Sequence, residues 1–212
     1  MATGPKEAVI LVHGIWMNGM DMGVMKHRLI KAGFDARQFS YHSLERTPLE
    51  NAVALNAFVK DIDSAVIHFV AHSLGGLIVR HLYHEYPDQK PGRVVTLGTP
   101  HRPSRAAQQL AQHAPGRFIL GKSLRNGLLG GAPDWKGPAQ LGSIAGDLRF
   151  GMGMFIPGIA APNDGTVSVE ETRLDGMTDH TVVHATHFGL LFSRDTELAV
   201  VSFLKTGRFP DG

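Results

Sequence analysis

Residues 71–76 read AHSLGG, directly after the apolar run SAVIHFV at 64–70. The run gives way to a stretch with apolar positions at helical spacing, which continues to Tyr86 and stops at Pro87. That pattern predicts a buried strand turning straight into a helix. Ser73 falls on the junction, where a serine has two possible jobs. Its hydroxyl can cap the helix by accepting an amide of the first turn. Alternatively, a strained turn can push the hydroxyl out above a sheet. The second job requires tiny side chains two positions before and after the serine, and Ala71 and Gly75 meet it. Gly76 then lets the new helix approach the strand closely. The six letters leave the two readings balanced, so partners elsewhere must decide.

Outward from this junction the same alternation repeats. AVILVH (8–13), ARQFSYH (36–42), RVVTLG (93–98), LGSIAG (141–146) and TVVHA (181–185) read as further strands. MKHRLIKAG (25–33), LENAVALNAFVKDI (49–62), RAAQQLAQ (105–112) and SRDTELAVVSFLKTG (193–207) carry helical spacing. About six strands, most separated by helices, predict an α/β fold with a mostly parallel sheet and helices on both faces. Residues 99–140 are rich in Gly and Pro and of low regularity. They are expected to form a short lid- or cap-like insertion over the C-terminal edge of the sheet, where open α/β sheets place ligands. No repeat or linker interrupts the 212 residues, which read as a single domain.

Composition narrows the function. Apolar residues make up 43% and charged residues 19%, a globular balance. A net charge of +2 with no long Lys/Arg block argues against nucleic acid as a partner. The absence of cysteine excludes disulfides, thiol nucleophiles and thiolate metal sites. No apolar run approaches the ~18 residues of a membrane span. MATGPKEAVILVHG lacks a secretion-signal pattern, so the expected location is cytoplasmic. Among the 12 histidines, HLYH (81–84) and HATH (184–187) place imidazoles three apart, yet no HExxH pattern or carboxylate partner marks a zinc site. Neither a metal nor a cofactor is expected.

A serine nucleophile needs a base and an acid, on loops after later strands and in the order Ser, acid, His. Asp164 stands in PNDGTVSV (162–169), although NDG also reads as a plain turn. Asp147 is the runner-up; Asp175 and Asp179 read as surface loop residues. His187 follows the last predicted strand. His184, inside that strand, is its competitor, and His180 precedes the strand at the wrong end of the sheet. His72 reads as packed under the turn. After the first strand comes HGIW (13–16), where Gly14 permits a turn that aims the next amide inward. The amides of Ile15 and Leu74 would then face a developing oxyanion. With the four features in the right order, the nucleophile reading is favoured, while Ser73 can still cap the helix as well.

VHGIW (12–16), AHSLGG (71–76), LGTPHRPS (97–104), PNDGTVSVEETRL (162–174) and HFGLLFS (187–193) together resemble the α/β-hydrolase superfamily. Within it the chain is similar to small bacterial lipases and esterases and to PGAP1-like acyl hydrolases. The resemblance implies a compact α/β-hydrolase fold, lacking the first two strands of larger members. It also implies a catalytic triad of Ser73, Asp164 and His187, with Ile15 and Leu74 as oxyanion amides. The reaction implied is cleavage of a small-molecule or lipid carboxylic ester through an acyl-enzyme, without a cofactor. Acyl transfer with the same triad, or a non-catalytic ligand-binding protein on the same fold, are the alternatives. Trp16, Leu124, Leu128 and Met154 are the candidate substrate contacts, in segments flanking the active edge. Two letters depart from the family pattern: Ala71 stands for the usual glycine, and Pro103 stands where a small residue is common.

Overall fold

A computed structural model of the chain describes residues 6–150 and 159–210. Six strands, β1 (Ala8–Val12), β2 (Asp35–Phe39), β3 (Ile67–His72), β4 (Arg93–Leu97), β5 (Gln140–Gly146) and β6 (Asp179–Val183), form one sheet. Their order is β2-β1-β3-β4-β5-β6, and every neighbouring pair is parallel. Parallel neighbours need long crossovers. These carry α1 (Gly23–Lys31), α2 (Pro48–Lys60), α3 (Leu74–Glu85), α4 (Arg105–Ala111) and α5 (Ala114–Leu120), and α6 (Arg194–Thr206) follows β6.

The strand AVILV shows why the sheet is covered on both sides. Its five residues are all buried. Ala8, Ile10 and Val12 join a core with Leu55 of α2 and Leu77 and Ile78 of α3. Val9 and Leu11 join a second core with Met25 and Leu29 of α1 and Val200 and Phe203 of α6. Successive side chains of a strand point to opposite faces, so a continuous apolar run fits only a strand packed on both.

Local chemistry fixes the helix starts. Thr47 caps α2: its hydroxyl accepts the Glu50 N–H, and the Glu50 carboxylate accepts the Thr47 N–H, with Pro48 at the first helical position. The Ser193 hydroxyl accepts the Thr196 N–H at the start of α6.

Several boundaries differ from the sequence reading, and β2 ends at Phe39, three residues short of the expected run. β3 starts at Ile67 because the Ser64 hydroxyl donates to the Val66 carbonyl and holds the preceding residues in a turn. β6 runs two residues earlier than TVVHA, so Asp179 and His180 lie in the strand and His184 just beyond it. The segment 114–120 is helical despite its proline and glycine. Pro115 occupies the first turn, and a side chain on Gly116 would stand 1.8 Å from the Leu110 carbonyl, so the glycine marks close packing of α5 on α4.

Among the described residues no helix is long and apolar enough to cross a membrane.

Candidate active site

The junction after β3 is a strained elbow. Ser73 has φ 51° and ψ −121°, and its side chain makes no cap hydrogen bond to α3. The capping role is therefore absent, and the hydroxyl is free for another partner. The Ser73 N–H donates to the Leu97 carbonyl at 2.9 Å, and the Thr99 hydroxyl donates to the Ser73 carbonyl at 2.9 Å. These bonds hold a backbone that a non-glycine residue adopts only at a cost of order 1–3 kcal/mol. Crowding around the turn is severe. A methyl on Gly75 would lie 2.5 Å from the Val12 carbonyl, and one on Gly76 would lie 2.2 Å from the Thr99 hydroxyl. Gly76 thus makes room for the loop after β4 rather than for the strand.

The strained hydroxyl meets an imidazole. His187 Nε2 lies 3.0 Å from Ser73 Oγ, and His187 Nδ1 lies 2.7 Å from Asp164 Oδ2. Asp164 has no solvent exposure. Its other oxygen, Oδ1, accepts the N–H groups of Thr166 and Val167 at 2.9 and 2.7 Å. The NDG turn is real, with Asn163 Oδ1 accepting the Gly165 N–H, but the aspartate side chain is turned into the protein and not displayed at a loop tip. Ser73, Asp164 and His187 leave the C-terminal ends of β3, β5 and β6 respectively.

The competing acid and base find each other instead. His184 Nδ1 sits 2.9 Å from Asp147 Oδ1, with the imidazole side chain 75% exposed. His184 is therefore a surface residue past the strand, neither packed nor facing Ser73. His180 is turned to Thr172, its Nε2 lying 3.0 Å from that hydroxyl. Asp179 accepts the Phe209 N–H.

The amide side of the site is built by HGIW. Gly14 does not take a positive φ; that conformation falls on Trp16, at 61°. Gly14 is required for space, since a side chain there would stand 2.8 Å from His72 Nδ1 and 3.2 Å from the Ser73 side chain. Ile15 lines a cavity of about 560 Å³ that reaches Ser73 and His187. Among the described residues neither the Ile15 nor the Leu74 N–H donates to a protein acceptor.

The cavity wall is mostly apolar and includes Trp16, Ala107, Leu120, Leu128, Phe150 and Phe188. Two of the four sequence-derived contact residues, Trp16 and Leu128, lie in it. Leu124 does not: it is half-buried and packs on the core beside α2 and α3. Met154 lies outside the described residues.

Sequence reasoning passed over one residue that shapes the site. Gly98, with φ 56°, stands where a side chain would come within 3.0 Å of His187 Nδ1 and 3.1 Å of Asp164 Oδ2. Its signal was its place at the end of β4, opposite the elbow. His72 was expected under the turn and is buried there. Its Nε2–H donates to the His187 carbonyl at 3.1 Å, and the two rings lie 4.7 Å apart. Burial, reinforced by the neighbouring His187, holds its pKa well below the ordinary histidine value, so it is neutral. No group of three or more His, Cys, Asp or Glu side chains able to hold a metal ion occurs among the described residues.

A six-stranded parallel sheet with helices on both faces and this elbow after the third strand defines an α/β-hydrolase. The chain belongs to the family described as "Putative serine esterase (DUF676)", whose profile matches residues 3–111. That stretch holds the HGIW loop and the elbow; Asp164 and His187 lie beyond it. No curated protein matches the sequence. Among solved structures, the fold is similar to the mature Bacillus licheniformis lipase BlEst2, at 22% identity over 98% of this chain and 94% of the lipase, with a TM-score of 0.75. It is also similar to the phospholipase PlaB from Legionella pneumophila, at 17% identity over 94% of this chain and 62% of PlaB, TM-score 0.73. The carboxylesterase CesB from Bacillus subtilis aligns at 13% identity over 97% of this chain and 85% of CesB, TM-score 0.60.

Proposed function

We propose that the chain hydrolyses carboxylic esters through an acyl-enzyme formed on Ser73. His187 Nε2 takes the serine proton as Oγ attacks the ester carbonyl, then returns it to the departing alcohol. Asp164 holds the Nδ1–H tautomer and stabilises the imidazolium that forms. The N–H groups of Ile15 and Leu74 receive the negative charge that develops on the carbonyl oxygen. Water, activated by the same histidine, then releases the acid and restores the serine. No metal or cofactor enters the scheme.

One observation carries this reading. A strained serine that caps nothing lies 3.0 Å from an imidazole, whose far nitrogen lies 2.7 Å from a fully buried carboxylate. A buried carboxylate without partners is costly. This one is matched on Oδ1 by two backbone amides and on Oδ2 by the imidazole, the arrangement that serves a histidine gaining charge during a reaction. The apolar cavity beside it suits an acyl chain. Residues 99–140 act as its cover, supplying Ala107, Leu120 and Leu128 to the wall.

A fluorophosphonate probe followed by peptide mapping tests the assignment. The label is expected on Ser73, and Ser73→Ala is expected to lose both labelling and cleavage across esters of graded acyl length. A label on another residue, or undiminished cleavage by Ser73→Ala, overturns it.

A further inference from the structure

The imidazole of His13 lies outside the proposed triad, yet both of its nitrogens are committed. The Tyr41 backbone N–H donates to Nε2 at 3.2 Å. A main-chain amide can only donate, so Nε2 carries no hydrogen and the proton sits on Nδ1. Nδ1 lies 2.8 Å from the Gly14 carbonyl and therefore donates to it. The ring has no solvent exposure and stacks on Tyr41 with centroids 4.1 Å apart and planes 10° from parallel. The Tyr41 hydroxyl donates to the His13 carbonyl at 2.8 Å. Two successive carbonyls, those of His13 and Gly14, are thus each held by a buried donor.

The Gly14 carbonyl belongs to the same rigid peptide unit as the Ile15 N–H. In a trans peptide the C=O and N–H point in opposite directions. A bond that fixes the carbonyl toward His13 therefore fixes the Ile15 N–H away from it, and Ile15 itself borders the cavity. A peptide flip would aim the Gly14 carbonyl at the position of the oxyanion. It would also leave the His13 Nδ1–H buried without a partner, which is unfavourable.

We propose that His13 is a positioning residue that locks the Gly14–Ile15 peptide in the orientation presenting the Ile15 N–H to the reacting carbonyl. The inference rests on the ester-hydrolase reading for the role of that amide. The lock itself is a property of the folded chain before substrate arrives. Gly14 explains why a lock is needed, because a residue without a side chain leaves its flanking peptides free to turn.

Two substitutions separate the lock from simple packing. His13→Phe keeps a ring against Tyr41 and removes the donor. His13→Asn gives up the ring but places an amide N–H close to the position of Nδ1. The Phe variant is expected to lose about 30- to 100-fold in kcat/KM, somewhat less than the ~10²–10³-fold for outright removal of an oxyanion donor, because the amide is still present but no longer held. The Asn variant is expected to recover at least tenfold of that loss. An alkylboronic acid, which forms a tetrahedral adduct on the serine, should bind the Phe variant weaker by a similar factor. An ether analogue of the ester, which fills the cavity without an oxyanion, should bind as it does to wild type.

The lock is overturned if kcat/KM of the Phe variant stays within about twofold of wild type, or if both inhibitors weaken alike. Should His13→Phe fail to fold, His13→Gln replaces it, because Gln reaches toward the Tyr41 N–H but leaves the Gly14 carbonyl without a donor. Equal activity of Gln and Asn variants then counts against the lock. The boronate measurement needs no turnover, so it judges the lock separately from the ester-hydrolase reading, which an inert wild type would sink.

Discussion

The backbone N–H of His187 donates to the Asp164 carbonyl at 2.8 Å, so two residues whose side chains meet at 2.7 Å are also joined through the main chain. The loops after β5 and β6 are tied together at the point where the proposed acid and base meet. Little freedom remains for the imidazole to drift from the carboxylate, which is how a short charge-assisted bond keeps its geometry.

Asp164→Asn is expected to leave the fold intact, since the remaining oxygen can still accept the Thr166 and Val167 amides. An amide NH₂ facing Nδ1 selects the wrong imidazole tautomer, and kcat is expected to fall by ~10³–10⁴-fold. Steady-state rates on a short ester, alongside a thermal melt, check both halves. A loss below about tenfold would remove Asp164 from the mechanism.

Gly98→Ala meets two obstacles: a φ of 56° and atoms of His187 and Asp164 at about 3 Å from the added methyl. The backbone conformation costs about 1–2 kcal/mol, a Tm decrease of roughly 2–8 °C for a chain of this size. Activity is expected to fall further than stability does, because the methyl presses on the acid–base pair itself. Equal loss at 25 °C and near Tm would indicate a local effect; recovery on cooling would indicate unfolding alone.

Ala71 is fully buried on the face of the sheet that packs against α2 and α3, paired with Val12 and Thr96. Ala71→Val overpacks that site and is expected to cost about 1–3 kcal/mol, with a matching loss of activity at the elbow. Ala71→Gly is expected to cost about 0.5–1 kcal/mol and to retain activity. Chemical denaturation of both variants tests the ranking, which an inert Gly variant would reverse.

Acidification should destabilise the protein below neutrality. Burial lowers the pKa of His180 to about 4 and pushes those of His72 and His101 well below the ordinary value. Such groups are neutral in the fold and take up protons on unfolding, so the unfolded state binds more protons between about pH 6.5 and 4. Stability therefore falls as pH drops through that window. Melts from pH 7.5 to 5 should show Tm declining steadily below about 6.5, and a flat profile would contradict the buried neutral histidines.

Much of this was legible in the sequence. The strand, elbow and helix after Ser73 announced themselves through a period change from buried run to helical spacing, and β1 through its unbroken apolar letters. The three residues that meet at the site were reachable from their order along the chain. What periodicity could not give was direction. Nothing in NDG says that the aspartate turns inward, and nothing in HATH says that His184 faces water beside Asp147. Two of the boundaries that slipped, at β3 and β6, were decided by a serine hydroxyl and by pairing with β5, which a single strand's letters do not record. Helix α5 was hidden because Pro115 and Gly116, usual marks of a loop, here serve a helix start and a close contact.

The bond between Ser73 and His187 closes a separation of 114 residues. Contacts so distant along a chain form only once the intervening strands have been laid side by side, and they are among the slowest to be won during folding. On the proposed mechanism, a partly folded chain holding only β1 to β4 would have the elbow and its serine but no base, and would be chemically silent. Recovery of turnover after dilution from denaturant is thus expected to lag behind recovery of helical signal. It marks the moment at which β6 docks on the edge of the sheet.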